Sequence, residues 1–308
     1  MPLPALPPSG AVDIVVFGEN SLDVVGALPA DAAGKDKVSL ESFAFLPGGQ
    51  AATASVGCAR LGARTRYVGA FGTDAWGMVV RETLAKERVE VVAIERPSAS
   101  SRLAIILVDD RGRRTVFEHR HPGLAIETAS VPAETWTGGR LLLVDATDLD
   151  ASTGAVALAR GRDIPTIVDV DRSTTEVAAL LSGVDVIIAA EAFLEGYSPG
   201  RGIGSALRSL ISDFHARAAV VTLGEQGSLA VMDDREYRHP AFDVDVVDTT
   251  GAGDAFRAGF AAAWLRAGTV VLEDVLTFAN ATAALNCRAP GAMTGLPRLD
   301  EVQELIAR

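Results

Sequence analysis

The run DTTGAGDAFRAGF, residues 248–260, places Gly251, Ala252 and Gly253 directly before Asp254, at what reads as a helix start. Residues this small let a ligand approach the backbone closely. The first turn of a helix presents N–H groups without intrahelical partners, and it is the positive end of the helix dipole. Together these features make an anion cradle. Asp254 lies in the same first turn, where the dipole keeps a carboxylate ionised. Such a carboxylate takes the proton of a hydroxyl while the amides absorb charge on the group that the oxygen attacks. The chemistry that fits is phosphoryl transfer to an alcohol, in which a protein mostly positions reactants and stabilises charge. Asp248, Thr249, Thr250 and Asp254 are also good caps, but capping alone does not ask for three small residues before the acid.

A cradle of this kind needs a rigid frame. Residues 12–18, 141–146, 165–171, 184–190 and 218–224 are short, β-branched apolar runs, each of the form expected for a strand buried on both faces of a parallel sheet. Helix-like segments, such as 151–161 and 202–216, lie between them, and the alternation argues for an α/β sandwich. The last third is helical over 252–267 and 272–287, with Gly268 placed to stop the first of these. Residues 37–45 alternate apolar and polar. Residues 101–120 form two strand-like runs around a turn at 110–113. Both read as antiparallel strands with one wet face, a small sheet standing off the main body as a lid. Edges of such a sheet are open to pairing, so a homodimer through the lid is expected.

Bulk composition narrows the function classes. The chain has 308 residues with 28 basic and 40 acidic side chains, a formal charge of −12. An acidic surface repels nucleic acid and anionic membranes, and an anionic substrate would need a local basic pocket. No apolar run is long enough to span a bilayer. Residues 1–10 are proline-rich, without a basic or apolar signal region, and read as a loose, disordered leader before a single domain at 11–308. Cys58 and Cys287 fall in apolar segments and read as buried free thiols; the cytoplasm is the default compartment. The first strand is not followed by G-x-G-x-x-G, no G-x-x-x-x-G-K-[ST] occurs, and the four histidines have no metal spacing. A dinucleotide oxidoreductase, a P-loop kinase and a zinc site are therefore disfavoured.

The motif at 248–261 resembles the C-terminal signature of the ribokinase-like carbohydrate kinases, the phosphofructokinase-B type. Other stretches resemble that family in the same order: FGENSLDVV, PGGQAATASVGCARLG, YVGAFGTDAWG, VVTLGEQGSLAV and NCRAPGAMTGLP. The resemblance implies a three-layer α/β sandwich with a mostly parallel central sheet and a small antiparallel β lid, inserted at about 34–46 and 99–121. It implies ATP-dependent phosphorylation of a free sugar, ketose or sugar acid, with Asp254 as catalytic base and Gly251, Ala252 and Gly253 as anion hole. Asp23, Gly48, Gly49 and Thr53 match the sugar-binding positions, and Thr222, Gly224, Gly227 and Asn280 match the nucleotide-binding ones. Asp248, the Thr250 carbonyl and the loop around 289–291 resemble the site where some members hold a monovalent cation such as potassium.

Two departures from the family pattern stand out. Thr53 replaces an asparagine that binds sugar hydroxyls. The Asn-x-x-Glu element tied to magnesium is also missing, because alignment puts Ala190 and Phe193 at its two polar positions. Mg²⁺ is still expected with ATP, since it neutralises the transferring phosphates, and Glu191 or Glu195 lies close enough to substitute. Several arginines could meet an anion. Arg257 follows Asp254 by three residues, with either a phosphate or acidic sugar contact or an ion pair as its role. Arg172 ends a strand where open α/β sheets bind ligands. Arg113, Arg114, His119, Arg120 and His121 cluster on the lid, with Arg120 the best placed for an anionic group on the sugar. Alternatives to a sugar kinase are a non-catalytic sugar or nucleotide binder and a nucleoside kinase of the same fold.

Overall fold

The computed structural model describes residues 2–30, 36–109, 114–267 and 271–308. In chain order the strands are β1 (Ile14–Phe17), β2 (Ser21–Ala27), β3 (Ser42–Gly48), β4 (Thr65–Gly72), β5 (Glu90–Arg96), β6 (Leu103–Val108), β7 (Arg114–His119), β8 (Leu141–Asp145), β9 (Thr166–Val170), β10 (Val186–Ala190), β11 (Ala218–Thr222), β12 (Ser228–Met232) and β13 (Arg235–His239). The helices are α1 (Gln50–Arg60), α2 (Ala75–Lys86), α3 (Ala133–Thr137), α4 (Leu149–Arg160), α5 (Val177–Leu181), α6 (Glu191–Tyr197), α7 (Ile203–Phe214), α8 (Ala252–Arg266), α9 (Leu272–Asn286) and α10 (Leu299–Ile306).

The large sheet runs β13-β12-β11-β10-β9-β8-β1-β4-β5. Its pairs from β5 to β11 are parallel, and β12 and β13 add an antiparallel edge. Burial of β1, β8 and β9 along their whole length explains why these strands are unbroken apolar runs: helices cover both faces. The period of two is visible in β1. Ile14 and Val16 pack into a core with Phe256, Phe260 and Trp264 of α8, whereas Val15 and Phe17 pack into the opposite core with Ala155, Leu180 and Leu207. Small residues let the helices of the first layer close up. A Cβ on Gly57 of α1 would lie 2.6 Å from Ala258 of α8.

The second sheet has the order β3-β2-β6-β7. Its outer pairs are antiparallel and its central pair, β2 with β6, is parallel. The segments expected in the lid supply β3, β6 and β7. β2 follows β1 after only three residues, yet it crosses into the lid. The turn at 110–113, residues 34–35 of the expected lid and Gly268 fall outside the described residues. The proline-rich start does not behave as a loose leader. Leu3 is buried, Leu6 packs beside it, and the Pro7 carbonyl accepts a 2.7 Å hydrogen bond from Arg140. Proline removes donors but not acceptors, so an extended segment can still dock through leucines and carbonyls. Cys58 and Cys287 are free and buried, as expected.

Candidate active site

Gly251 is the N-cap of α8 and adopts φ 75°, a left-handed conformation that suits glycine. A Cβ there would come within 2.7 Å of the Ala292 backbone, so the loop after α9 closes on this turn. With glycine as cap, no side chain satisfies the first helical N–H groups. The Gly251, Gly253 and Asp254 amides have no acceptor among the described residues, while Ala252 donates to the Thr249 carbonyl at 3.2 Å. Of the three residues expected to form an anion hole, Gly251 and Gly253 thus keep amides without an acceptor among the described residues, and Ala252 does not.

Asp254 lines a cleft of about 490 Å³ between the large sheet and the lid. Gly251, Thr250, Asp23, Gly49 and Gln50 line it too. Burial pushes the Asp254 carboxyl up to about 6, against the pull of the Arg257 guanidinium. The helix dipole alone does not hold it low; desolvation is the larger effect. At neutral pH the group remains mainly ionised.

The lid builds the other wall by alternation. On β7 and beyond, Val116, Glu118 and Arg120 face the cleft; Ser21 and Asp23 do so from β2, and Arg102, Ala104 and Ile106 from the β6 side. Asp23 is buried, and Ser21 donates to it at 2.7 Å. A Cβ on Gly48 would fall on the Asp23 carboxylate, so Gly48 makes room for that acid and does not itself line the cleft. Gly49, at φ 92°, packs its Cα face on Asn20 and does line it.

Two expectations on this side change. Thr53 is fully buried in α1 with its hydroxyl unpartnered, outside the cleft lining. Its position one turn into the helix points it into packing, and Gln50, at the first turn, reaches the cleft and contacts Asp171 at 3.4 Å. Arg120 lines the cleft but donates to the Thr147 carbonyl at 2.7 Å, so that N–H is already used. Sequence reasoning missed Glu19, Arg102 and Glu118. Arg102 is held by Glu19 on one side and by Glu118 at 2.9 Å on the other. Burial pushes the Glu19 carboxyl up to about 8. A period of two through Arg120 would have found Glu118; nothing local marks Glu19. Arg172 is exposed and also lines the cleft.

The residues expected at the nucleotide lie elsewhere, at the C-terminal ends of β10 and β11. Thr222 ends β11 beside Ala190, so Glu191 starts α6 next to it. Gly224, at φ 56°, has open space where a side chain would be. Gly227, at φ 85°, turns the chain into β12, and a Cβ there would strike the His239–Ala241 backbone. Asn280 differs from expectation. It is buried, and its amide donates to Ser228 at 2.7 Å and to the Leu276 carbonyl at 2.8 Å, tying α9 to β12. Phe193 is buried against Tyr197 at the position aligned with the glutamate, and the two carboxylates offered in its place, Glu191 and Glu195, are both exposed on α6.

Asp248 accepts from the Thr250 amide at 2.9 Å, from its hydroxyl at 2.7 Å and from the Gly291 amide at 2.8 Å. The Thr250 carbonyl accepts from Asn286 at 3.0 Å. These bonds close the loop around Asp248 and the Thr250 carbonyl, whose remaining lone pairs leave both able to meet a monovalent cation.

Comparison with known proteins bears on the family and on the fold. A family model described as pfkB family carbohydrate kinase matches residues 12–299. A fructokinase of Salmonella typhimurium is 31% identical over 273 residues, covering 82% of this chain and 89% of that protein. A ribokinase of Bacillus subtilis is 27% identical over 298 residues, covering 96% of this chain and 99% of that one. The solved structure of Arabidopsis thaliana ribokinase complexed with ribose and ATP has a TM-score of 0.83 at 22% identity, over 97% of this chain and 99% of that one. Thermotoga maritima ribokinase has the same TM-score at 21% identity, over 96% and 100%. At such identities the structural likeness speaks for the fold, which is ribokinase-like.

Proposed function

The chain belongs to the pfkB family of carbohydrate kinases, and from that premise we propose that it transfers the γ-phosphoryl of ATP to a hydroxyl of a free, uncharged sugar or ketose. The observation that carries this reading is the placement of Asp254 and the uncapped Gly251 turn in one cleft with Asp23 and Gly49. Asp23 and the Gly49 backbone bind sugar hydroxyls. Asp254 takes the proton of the hydroxyl that attacks, and the Gly251 and Gly253 amides receive the charge of the transferring group. Thr222, Gly224 and Gly227 would border the nucleotide phosphates, and Glu191 would hold waters of Mg²⁺. The ion, bound with ATP, neutralises phosphate charge.

An acidic sugar is a poorer fit. Arg102 is engaged by Glu19 and Glu118, and one Arg120 N–H by Thr147, so a carboxylate would have to be met by the remaining Arg120 donors or by the exposed Arg172. The similarity to a fructokinase supports the same side of the choice. A coupled ADP assay over ketoses, hexoses, pentoses and sugar acids, with ATP and Mg²⁺, tests this. A neutral sugar is expected to give the fastest ADP release, above any sugar acid at equal concentration. Sugar-dependent thermal shifts without ADP from any candidate would replace the kinase with a non-catalytic binder.

A homodimer through the lid belongs to the same proposal. Register puts Phe45, Val24, Ile105 and Phe117 in one row across all four lid strands, on the face away from the cleft. Phe43, Phe45, Ile105 and Phe117 are exposed there, a contiguous apolar surface of the kind that marks an interface. Sedimentation is expected to give twice the monomer mass, and Phe117→Glu to give the monomer; a monomeric wild type removes the proposal. Among the described residues no helix is long and apolar enough to cross a membrane, and the cytoplasm is the compartment proposed.

A further inference from the structure

Arg257 is an unusual side chain to find beside a catalytic base. It sits one turn after Asp254 on α8, with 7% of its surface exposed. One terminal nitrogen contacts Asp254 Oδ1, and the other lies 2.6 Å from Asp169 Oδ1. Asp169 belongs to β9, in the middle of the sheet, and is 2% exposed. One guanidinium therefore serves two buried carboxylates from two different elements. The sequence left open whether Arg257 meets a phosphate, an acidic sugar or an ion-pair partner; both of its terminal nitrogens are taken by carboxylates.

This triad is a poor device for stability. The Arg257 Nε and Asp169 Oδ2 atoms are buried without hydrogen-bond partners. A buried charge cluster with unsatisfied atoms is commonly no better than apolar packing of the same volume, and each such orphan calls for an explanation. Geometry supplies one. A carboxylate that serves as a base must present one oxygen to the hydroxyl in a fixed direction, and a misplacement of about 1 Å can cost about 100-fold in rate. Arg257 grips Oδ1 of Asp254, which leaves Oδ2 as the oxygen that can address the cleft.

We propose that Arg257 is a positioning residue, which, braced against Asp169, holds Asp254 by one oxygen and keeps it charged while the other oxygen meets the sugar hydroxyl. This inference rests on the reading of Asp254 as the base.

The charges around the base give the same account. Asp169 on β9, Asp145 on β8 and Asp23 on β2 all act on Asp254 or its partner, and Asp171 at the end of β9 acts on Arg257. Arg257 is the cation in contact with the base. Burial raises both carboxyls, and the Arg257 guanidinium between them lowers both.

The test replaces Arg257 with Met and with Lys and measures kcat, KM for both substrates and the pH profile of kcat/KM. A base works only when deprotonated, so its rate falls as pH drops through its pKa, and removing the cation moves that acid limb to higher pH. For Arg257→Met, kcat is expected to fall about 100-fold with KM values nearly unchanged, and the limb to rise by at least about one pH unit. Arg257→Lys, with one point charge in place of a fork, is expected to recover part of the rate and part of the limb position. It also carries the test alone if the Met variant does not fold. A wild-type rate and an unmoved limb in the folded variants overturn the proposal. Its failure is separable from that of the base itself: an active Asp254→Asn variant removes the base, whereas an inactive one beside a wild-type Arg257 variant removes only the positioning role.

Discussion

Replacing Asp254 with Asn is expected to lower kcat by about 1,000-fold or more while ATP binding, followed by calorimetry, stays intact. The substitution keeps size and hydrogen-bonding reach but removes the group that takes the proton. The wild-type pH profile provides the companion measurement. With the carboxyl at about 6, kcat/KM should fall on the acid side of that value, and any residual activity of the variant should lack the limb. Stability follows the same shift with its own sign. A carboxyl raised in the folded state favours folding below its unfolded pKa and loses that contribution as pH rises through about 6. Wild type therefore loses stability from this group across that window, and the variant does not. A variant that turned over sugar at the wild-type rate would end the general-base mechanism.

Gly251→Ala is expected to be the most damaging substitution that touches no charge. The position has φ 75°, and a Cβ would lie 2.7 Å from Ala292 Cα and 2.7 Å from the Ala292 carbonyl oxygen. Backbone, unlike a flexible side chain, cannot step aside. Left-handed strain and overpacking each cost about 1–3 kcal/mol, and relief of the clash moves the Gly251 and Gly253 amides away from the phosphoryl position. Loss of one such donor costs about 100-fold in kcat. Gly62→Ala provides the control. Gly62 also has a positive φ, 95°, but nothing lies within 4 Å of its missing side chain. It should lose stability without losing kcat. Thermal melts and steady-state kinetics on both variants separate strain from catalysis, and equal kinetics in the two would remove the amides from the mechanism.

Much of this site was legible because it is local. The small residues before Asp254, the glycines at 48–49 and the strand runs each carry their meaning within about one turn or one strand. The same locality explains what the sequence did not show. Thr53 was read from its place in a motif, but one helical turn separates a residue that faces the cleft, Gln50, from one that faces the core. Asn280 sits at a matching helix position, and its amide is spent on Ser228, 52 residues away in sequence. β2 was not anticipated as a strand of the lid, because nothing in its composition says which sheet it joins.

By itself, the sequence determined the layered α/β frame, the lid as a separate sheet, and the acid and amides at the start of one helix. Hydrophobic period, turn residues and a dense motif are properties of neighbouring residues, and they survive without knowledge of what packs where. Only the tertiary structure decided the electrostatics. The Glu19 amide meets Asp145 across 126 positions of sequence, Arg102 draws Glu19 and Glu118 together, and Arg257 joins α8 to β9. Desolvation and ion pairing depend on the sum of surrounding atoms, and that sum exists only after the sheet and the helices have closed around the cleft.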